Sequence, residues 1–282
     1  MTWFMAIFLG IVQGVTEFLP VSSSGHLALL QSFGLEDHHD RHLFFDTMLH
    51  MGTLVAVFVV YWRDITDMIR ATISLFTGRG SREEDPNPVS PSKARLAMML
   101  IIATLPLALA IPFLSTIRAL GNRMWFIGLM LLITGGVLYF SDRLAQGRKT
   151  ERNMTLGSAA MIGLIQVIAI MPGLSRSGFT ITAGIMGGLD RAFAVRFSFL
   201  LSIPAILGAY LVTFFVELRY IDWSLMPMYI VGTIFAGVTG YFAIHLVRIL
   251  VKKGSFGKFA YYCWFIGTIA IATSIVQAFM AL

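Results

Sequence analysis

Apolar residues fall in blocks along this chain, at about 1–19, 43–62, 96–114, 124–141, 155–171, 192–216, 227–247 and 258–280. Each block approaches the roughly 20 residues that an α-helix needs to cross a bilayer. A bilayer offers backbone N–H and C=O groups no partner, so blocks of this length predict helices. Two shorter apolar stretches, 21–33 and 178–188, follow prolines and are too short to span. The one long polar connection is about 63–95, and its centre, Gly78 to Pro91, reads as a solvated linker.

The pattern repeats. Gln13-Gly-Val-Thr-Glu-Phe-Leu-Pro20 is followed by Val21-Ser-Ser-Ser-Gly25, and Gln166-Val-Ile-Ala-Ile-Met-Pro172 by Gly173-Leu-Ser-Arg-Ser-Gly178. The offset is 153 at the glutamines, 152 at the prolines and 153 at the Ser-x-Ser-Gly steps. Trp-Phe-Ile-Gly also occurs twice, at 125–128 and 264–267. One membrane domain over 1–282 is therefore expected to hold two repeats, about 1–141 and about 155–282.

Positive charge supplies the topology. If each Pro-to-Ser-Gly unit is the tip of a re-entrant helical hairpin, loops 63–95, 142–153, 187–196 and 248–258 share one face and hold sixteen of the 21 Lys/Arg. Loops 34–42, 115–123 and 217–224 share the other and hold four, and Arg176 sits at a tip. By the positive-inside rule the polar loop 63–95 is cytoplasmic and the N-terminus outside. Three crossings separate the hairpins, which inverts the second repeat relative to the first. The expected fold class is an all-α integral membrane bundle of two inverted-topology repeats, each with a re-entrant hairpin.

Composition agrees: 57% of residues are hydrophobic and 13% charged, with a mean hydropathy of +0.78. That excludes a disordered chain, a coiled coil and an ordinary soluble enzyme. The net charge of +6 lies in loops between apolar blocks. It predicts contact with lipid headgroups and not with nucleic acid. The single cysteine, Cys263, leaves no intrachain disulfide. The first block lacks a basic leader and carries Gln13 and Glu17, so a cleaved signal peptide is not expected.

Four groups in the apolar blocks carry candidate chemistry. A carboxylate at bilayer depth costs about 2.5–3.5 kcal/mol, so Glu17, with Gln13 one turn before it, is expected to face a cavity. Ser22, Ser23, Ser24 and Gly25 follow Pro20 and suit the start of a half-helix whose N–H groups point at an anion. Gly173, Ser175, Ser177 and Thr180 repeat that construction, with Arg176 alone among uncharged residues from Met154 to Leu189. Brought together, Arg176 and the amides would stabilise phosphoryl charge, His26 would act as acid or base, and a serine as nucleophile. Glu17, with Gln13, would hold a hard divalent cation, Mg²⁺ or Ca²⁺, through oxygen. His38, His39 and His42, among Glu36, Asp37 and Asp40, read as a solvated loop. Asp46 and His50, one turn apart, read as a buried pair beside the site.

QGVTEFLPVSSSGH at 13–26 and PGLSRSGFT at 172–180 resemble the two signature motifs of the undecaprenyl-diphosphate phosphatases, the bacitracin-resistance family of bacterial inner membranes. The resemblance runs over essentially the whole chain. It implies hydrolysis of undecaprenyl diphosphate to undecaprenyl phosphate plus phosphate, which recycles the lipid carrier for peptidoglycan synthesis. It also implies a divalent cation, a site reached from the periplasmic side, and a homodimer. By position, Glu17 matches the second acidic place of the Glu/Gln-x-x-x-Glu motif and His26 the motif histidine. Ser23 matches the serine proposed as nucleophile, and Ser175, Arg176 and Thr180 the phosphate-binding residues. Gln13 stands where a second carboxylate is allowed, which weakens a mechanism needing two. An inverted-repeat transporter or flippase of polyprenyl phosphates is the alternative. A phosphatidic-acid-phosphatase-type enzyme would need a histidine soon after Ser175-Arg176, and none follows.

Overall fold

The Thr2 hydroxyl accepts the Met5 N–H at 3.3 Å, and the first apolar block begins there as helix α1, Trp3–Phe18. This computed structural model describes residues 1–32, 43–77, 91–217, 222–252 and 256–280. The histidine-rich loop, with His38, His39 and His42, and the centre of the polar linker lie outside the described residues. After α1 come α2 (Ser23–Leu30), α3 (Leu43–Val60), α4 (Trp62–Thr77) and α5 (Pro91–Thr104). A 3₁₀ stretch, Leu105–Phe113, leads into α6 (Leu114–Gly121) and α7 (Met124–Ser141). Then follow α8 (Leu156–Ile168), α9 (Arg176–Met186), α10 (Arg191–Glu217), α11 (Met226–Lys252) and α12 (Lys258–Met280). Among the described residues the architecture is all-helical, with one isolated bridge between Lys149 and Leu189.

Among the described residues five helical segments are long and apolar enough to cross a membrane, or six if the bent pair α3–α4 counts as one span. The chain is a multi-pass membrane protein. α1 and α8 have 16 and 13 residues. At 1.5 Å per residue they reach about 24 and 20 Å, short of the roughly 30 Å hydrocarbon core. Each stops where Pro20 or Pro172 approaches, because proline cannot continue the backbone ladder.

The connection expected at 63–95 is partly helical. α4 turns by 78° from α3 at Tyr61 and occupies its first half. Ile65, Met68 and Ala71 are buried while Arg63 and Arg70 are exposed, so the segment is amphipathic and lies on the core by one stripe. Its charges are partnered across elements. Asp64 meets Arg196 of α10 and, at 2.9 Å, Lys93 of α5, while Glu151 lies 3.1 Å from Arg196.

Small residues set the closest packing. α7 and α12 meet at Gly128 and Gly267, each facing the other's carbonyl, and both belong to the twice-occurring Trp-Phe-Ile-Gly. α1 packs on α11, where a β-carbon at Gly14 would collide with the Ala236 carbonyl. That contact turns Gln13 and Glu17 of the same helix towards the interior. α8 lies against α5 and the 3₁₀ stretch, and α3 against α10. Between them, Phe18 meets the Phe199 ring edge-on at 5.2 Å in a core that includes Val57, Ile181 and Leu200.

Candidate active site

The two Ser-x-Ser-Gly steps start two helices in the same way. Ser22 caps α2, its hydroxyl accepting the Gly25 N–H at 3.2 Å, and Ser175 caps α9, accepting the Gly178 N–H at 3.1 Å. The preceding backbone is sharply turned. Ser22 has φ 71°, a conformation L-residues rarely adopt, and Gly173 has φ 97°. Each turn leaves first-turn N–H groups that no carbonyl of the same helix can reach.

Glu17 joins the two helix starts. It is 7% exposed in the last turn of α1. Oε1 accepts from the Arg176 guanidinium at the start of α9. Oε2 accepts from the Ser23 hydroxyl of α2 at 2.6 Å and from the Gln13 amide at 3.0 Å. His50 of α3 brings Nε2 to 3.5 Å from the same oxygen. Its Nδ1 lies 2.7 Å from the Asp46 main-chain carbonyl, which can only accept, so Nδ1 carries the proton. In the neutral ring Nε2 is then bare.

Beside this cluster lies a cavity of about 740 Å³. Its polar end is lined by Glu17, Ser22, Ser23, Ser24, Ser175 and Arg176, with Asp46 and His50 adjoining. Six of the sequence-derived candidates stand elsewhere or behind this wall. Gln13 is fully buried against Glu17. The Gly25 N–H is spent on the cap, and the Gly173 carbonyl accepts from Thr134 at 3.2 Å. Ser177 pairs with Ser175 at 3.2 Å. Thr180 donates to the Arg176 carbonyl at 2.8 Å and pairs with Ser198 at 2.6 Å, fixing the turn that carries the guanidinium.

His26 is the clearest departure from the expected assembly. Nδ1 lies 2.7 Å from the Ser22 carbonyl and Nε2 lies 2.8 Å from the Tyr262 hydroxyl, with the two rings stacked at 5.6 Å. Both nitrogens are engaged away from the cavity, because the α2 face that carries Ser23 inward carries His26 towards α12. His50 occupies the place expected of a histidine. Its spacing with Asp46 was visible in the sequence; its approach to Glu17 depends on how α3 packs.

The chain matches the family model described as bacitracin resistance protein BacA over residues 6–269. It belongs to that family. An undecaprenyl-diphosphatase of Methanosphaera stadtmanae is 40% identical over 277 residues, covering 96% of this chain and 98% of that protein. An undecaprenyl-diphosphatase of Alkaliphilus metalliredigens is 40% identical over 283 residues, covering 98% and 100%. One from Methanobrevibacter smithii is 41% identical over 281 residues, covering 97% and 98%.

In this BacA-family chain the residues expected to ligate a divalent cation do not fit a resident one. Both Glu17 oxygens already accept from donors, one of them a guanidinium, whose charge opposes a dication. The oxygen left over is Gln13 Oε1, a neutral amide atom without a hydrogen-bond partner among the described residues. No group of three or more His, Cys, Asp or Glu is placed to hold a metal ion among the described residues.

Proposed function

We propose that this chain hydrolyses undecaprenyl diphosphate to undecaprenyl phosphate and inorganic phosphate, recycling the carrier for peptidoglycan synthesis and conferring bacitracin resistance. The observation that carries the reading is the convergence of Ser23, Glu17 and Arg176 at the polar end of a largely apolar cavity. The family match and the relatives' names support the substrate.

The terminal phosphate lies against Arg176 and the first-turn N–H groups of α2 and α9, which offset charge on the equatorial oxygens. Ser23 Oγ attacks phosphorus and its proton passes to Glu17 Oε2. The bridging P–O bond breaks, its electron pair leaving with undecaprenyl phosphate. Water then attacks the phosphoserine, losing a proton to His50 Nε2, while the departing Ser23 oxygen recovers its proton from Glu17. Mg²⁺ or Ca²⁺ enters this reading on the diphosphate oxygens, as part of the substrate.

Two inverted-topology repeats with re-entrant hairpins belong to the same proposal. They are supported by the matched caps Ser22 and Ser175, by the short α1 and α8, and by the α7–α12 contact between the two Trp-Phe-Ile-Gly segments. With the charge count they orient the site towards the periplasmic side of the inner membrane. The family resemblance supports a homodimer.

The test is phosphate release from undecaprenyl diphosphate by the purified protein with Mg²⁺, comparing wild type and Ser23→Ala. Ser23→Ala is expected to lose at least ~10³-fold, the scale of removing an activated nucleophile. Near-normal turnover would mean that water attacks directly. No release by folded wild type would favour the transporter reading.

His26→Gln is expected to stay within about tenfold of wild type, against the ~10²–10⁴-fold loss of an acid or base. It should lower the melting temperature, since the stack on Tyr262 is lost with the ring. A 10³-fold loss of turnover with unchanged melting would return His26 to the reaction.

A further inference from the structure

A second guanidinium lines the cavity. Arg118, in the last turn of α6, borders it together with Leu114 one turn earlier. Among the described lining residues Arg118 is the charged side chain that is also exposed. Glu17 is buried, and Asp46, His50 and Arg176 are half-buried. Arg118 therefore stands where the cavity meets water, and Arg176 at its inner polar end.

Topology does not ask for a cation there. Arg118 is one of the four Lys/Arg that the charge count places outside, and positive charge on that face works against the orientation. Local packing gives it an address. Leu114, Arg118 and Gly121 follow at steps of four and three, so they share one face of α6. A β-carbon added at Gly121 would stand 3.3 Å from Cγ of Pro172, at the turn that leads to Ser175 and Arg176. The face of α6 that carries Arg118 is thus seated on the tip that carries Arg176. A cation in a last turn also offsets the helix dipole, but that role needs no cavity, and Arg118 lines one.

We infer that Arg118 is a second phosphoryl-anion site, which inorganic phosphate occupies as it leaves the catalytic end for water. The inference rests on the diphosphatase reading, which supplies the phosphate. The remaining walls are largely apolar, Leu107, Ile111 and Ile170 among them, and offer a departing anion no partner. Low-dielectric walls also focus the field of a charge placed at the mouth. A guanidinium suits the ligand, because it is permanently charged and its fork spans two phosphate oxygens. Its exposure to water keeps the hold weak enough for release. The diphosphate of an incoming lipid has the same chemistry, and the arms of the test separate the two sources.

Product inhibition is the first arm. In Arg118→Gln the Ki of inorganic phosphate against undecaprenyl diphosphate hydrolysis is expected to rise about fivefold, the upper scale for an exposed ion pair, and by more than KM does. Arg118→Lys, which keeps a point charge, should recover most of the loss. The second arm does not depend on turnover. Broadening of the phosphorus NMR line of inorganic phosphate is followed with the purified full-length protein. It should persist in Arg176→Ala and vanish in Arg176→Ala/Arg118→Gln. An unchanged Ki in Arg118→Gln, with or without a lower melting temperature, overturns the site and leaves Arg118 as a helix-end cation. A rise in KM with Ki unchanged also overturns it and gives Arg118 to the incoming lipid. If wild type releases no phosphate from undecaprenyl diphosphate, the diphosphatase reading fails, and the NMR comparison alone decides whether Arg118 holds phosphate.

Discussion

Arg176→Ala is expected to abolish phosphate release, by ~10³-fold or more, the scale seen when a guanidinium is withdrawn from a phosphoryl-transfer site. Arg176 works in two directions from one position. It pairs with Glu17 on one side and lines the cavity on the other, with 23% of its side chain exposed there. Thr180 holds the turn behind it through the Arg176 carbonyl, so the charge is delivered without reorganisation. Arg176→Lys keeps the charge and loses the planar fork that spans two oxygens, and an intermediate loss is expected. The substitution also leaves the Glu17 carboxylate buried without its cation. Breaking a buried pair costs about 3–5 kcal/mol, less here because the arginine is partly exposed. The Glu17→Gln/Arg176→Ala double variant separates the two effects. Its melting temperature should recover relative to Arg176→Ala while its activity does not. If Arg176 were a structural counter-ion alone, the double variant would be as active as Glu17→Gln by itself.

The chemistry of this site was legible in the sequence wherever it depended on local rules. Pro20 and Pro172 stop helices, Ser22 and Ser175 start them, and the four-residue step from Gln13 to Glu17 puts both on one face. What depended on packing between distant elements was not legible. His26 meets Tyr262 across 236 positions of chain, and no local spacing distinguishes that histidine from one aimed at a cavity. His50 reaches Glu17 because α3 lies beside α1. Lys93 and Arg196 read only as loop cations that set topology, and their partners Asp64 and Glu151 carried no reading. In the structure they tie α4 and α5 to α10 at the polar edge. The 3₁₀ stretch was hidden because Leu105–Phe113 is apolar throughout, and hydropathy does not separate 3₁₀ from α geometry. Its prolines, Pro106 and Pro112, were the available signal.

Glu17→Gln is expected to lower turnover by ~10²–10⁴-fold with little change in substrate binding, because it removes the proton acceptor for Ser23 and keeps the side chain's shape. The amide oxygen can still accept from the Ser23 hydroxyl now 2.6 Å away, so the nucleophile stays in place but is not relieved of its proton. Arg176 then loses its counter-charge while keeping its face to the cavity, and phosphate binding should hold or tighten. This variant also decides between two roles for the carboxylate. If Glu17 held a resident divalent cation, Glu17→Gln would raise the Mg²⁺ concentration needed for half-maximal rate by an order of magnitude or more. With both oxygens already taken by Ser23, Gln13 and Arg176, that concentration should stay within about twofold of wild type while the rate falls. A titration of Mg²⁺ against single-turnover phosphate release reads both quantities at once. A large shift in the metal dependence with the maximal rate preserved would overturn the proton-acceptor role and make Glu17 a metal ligand.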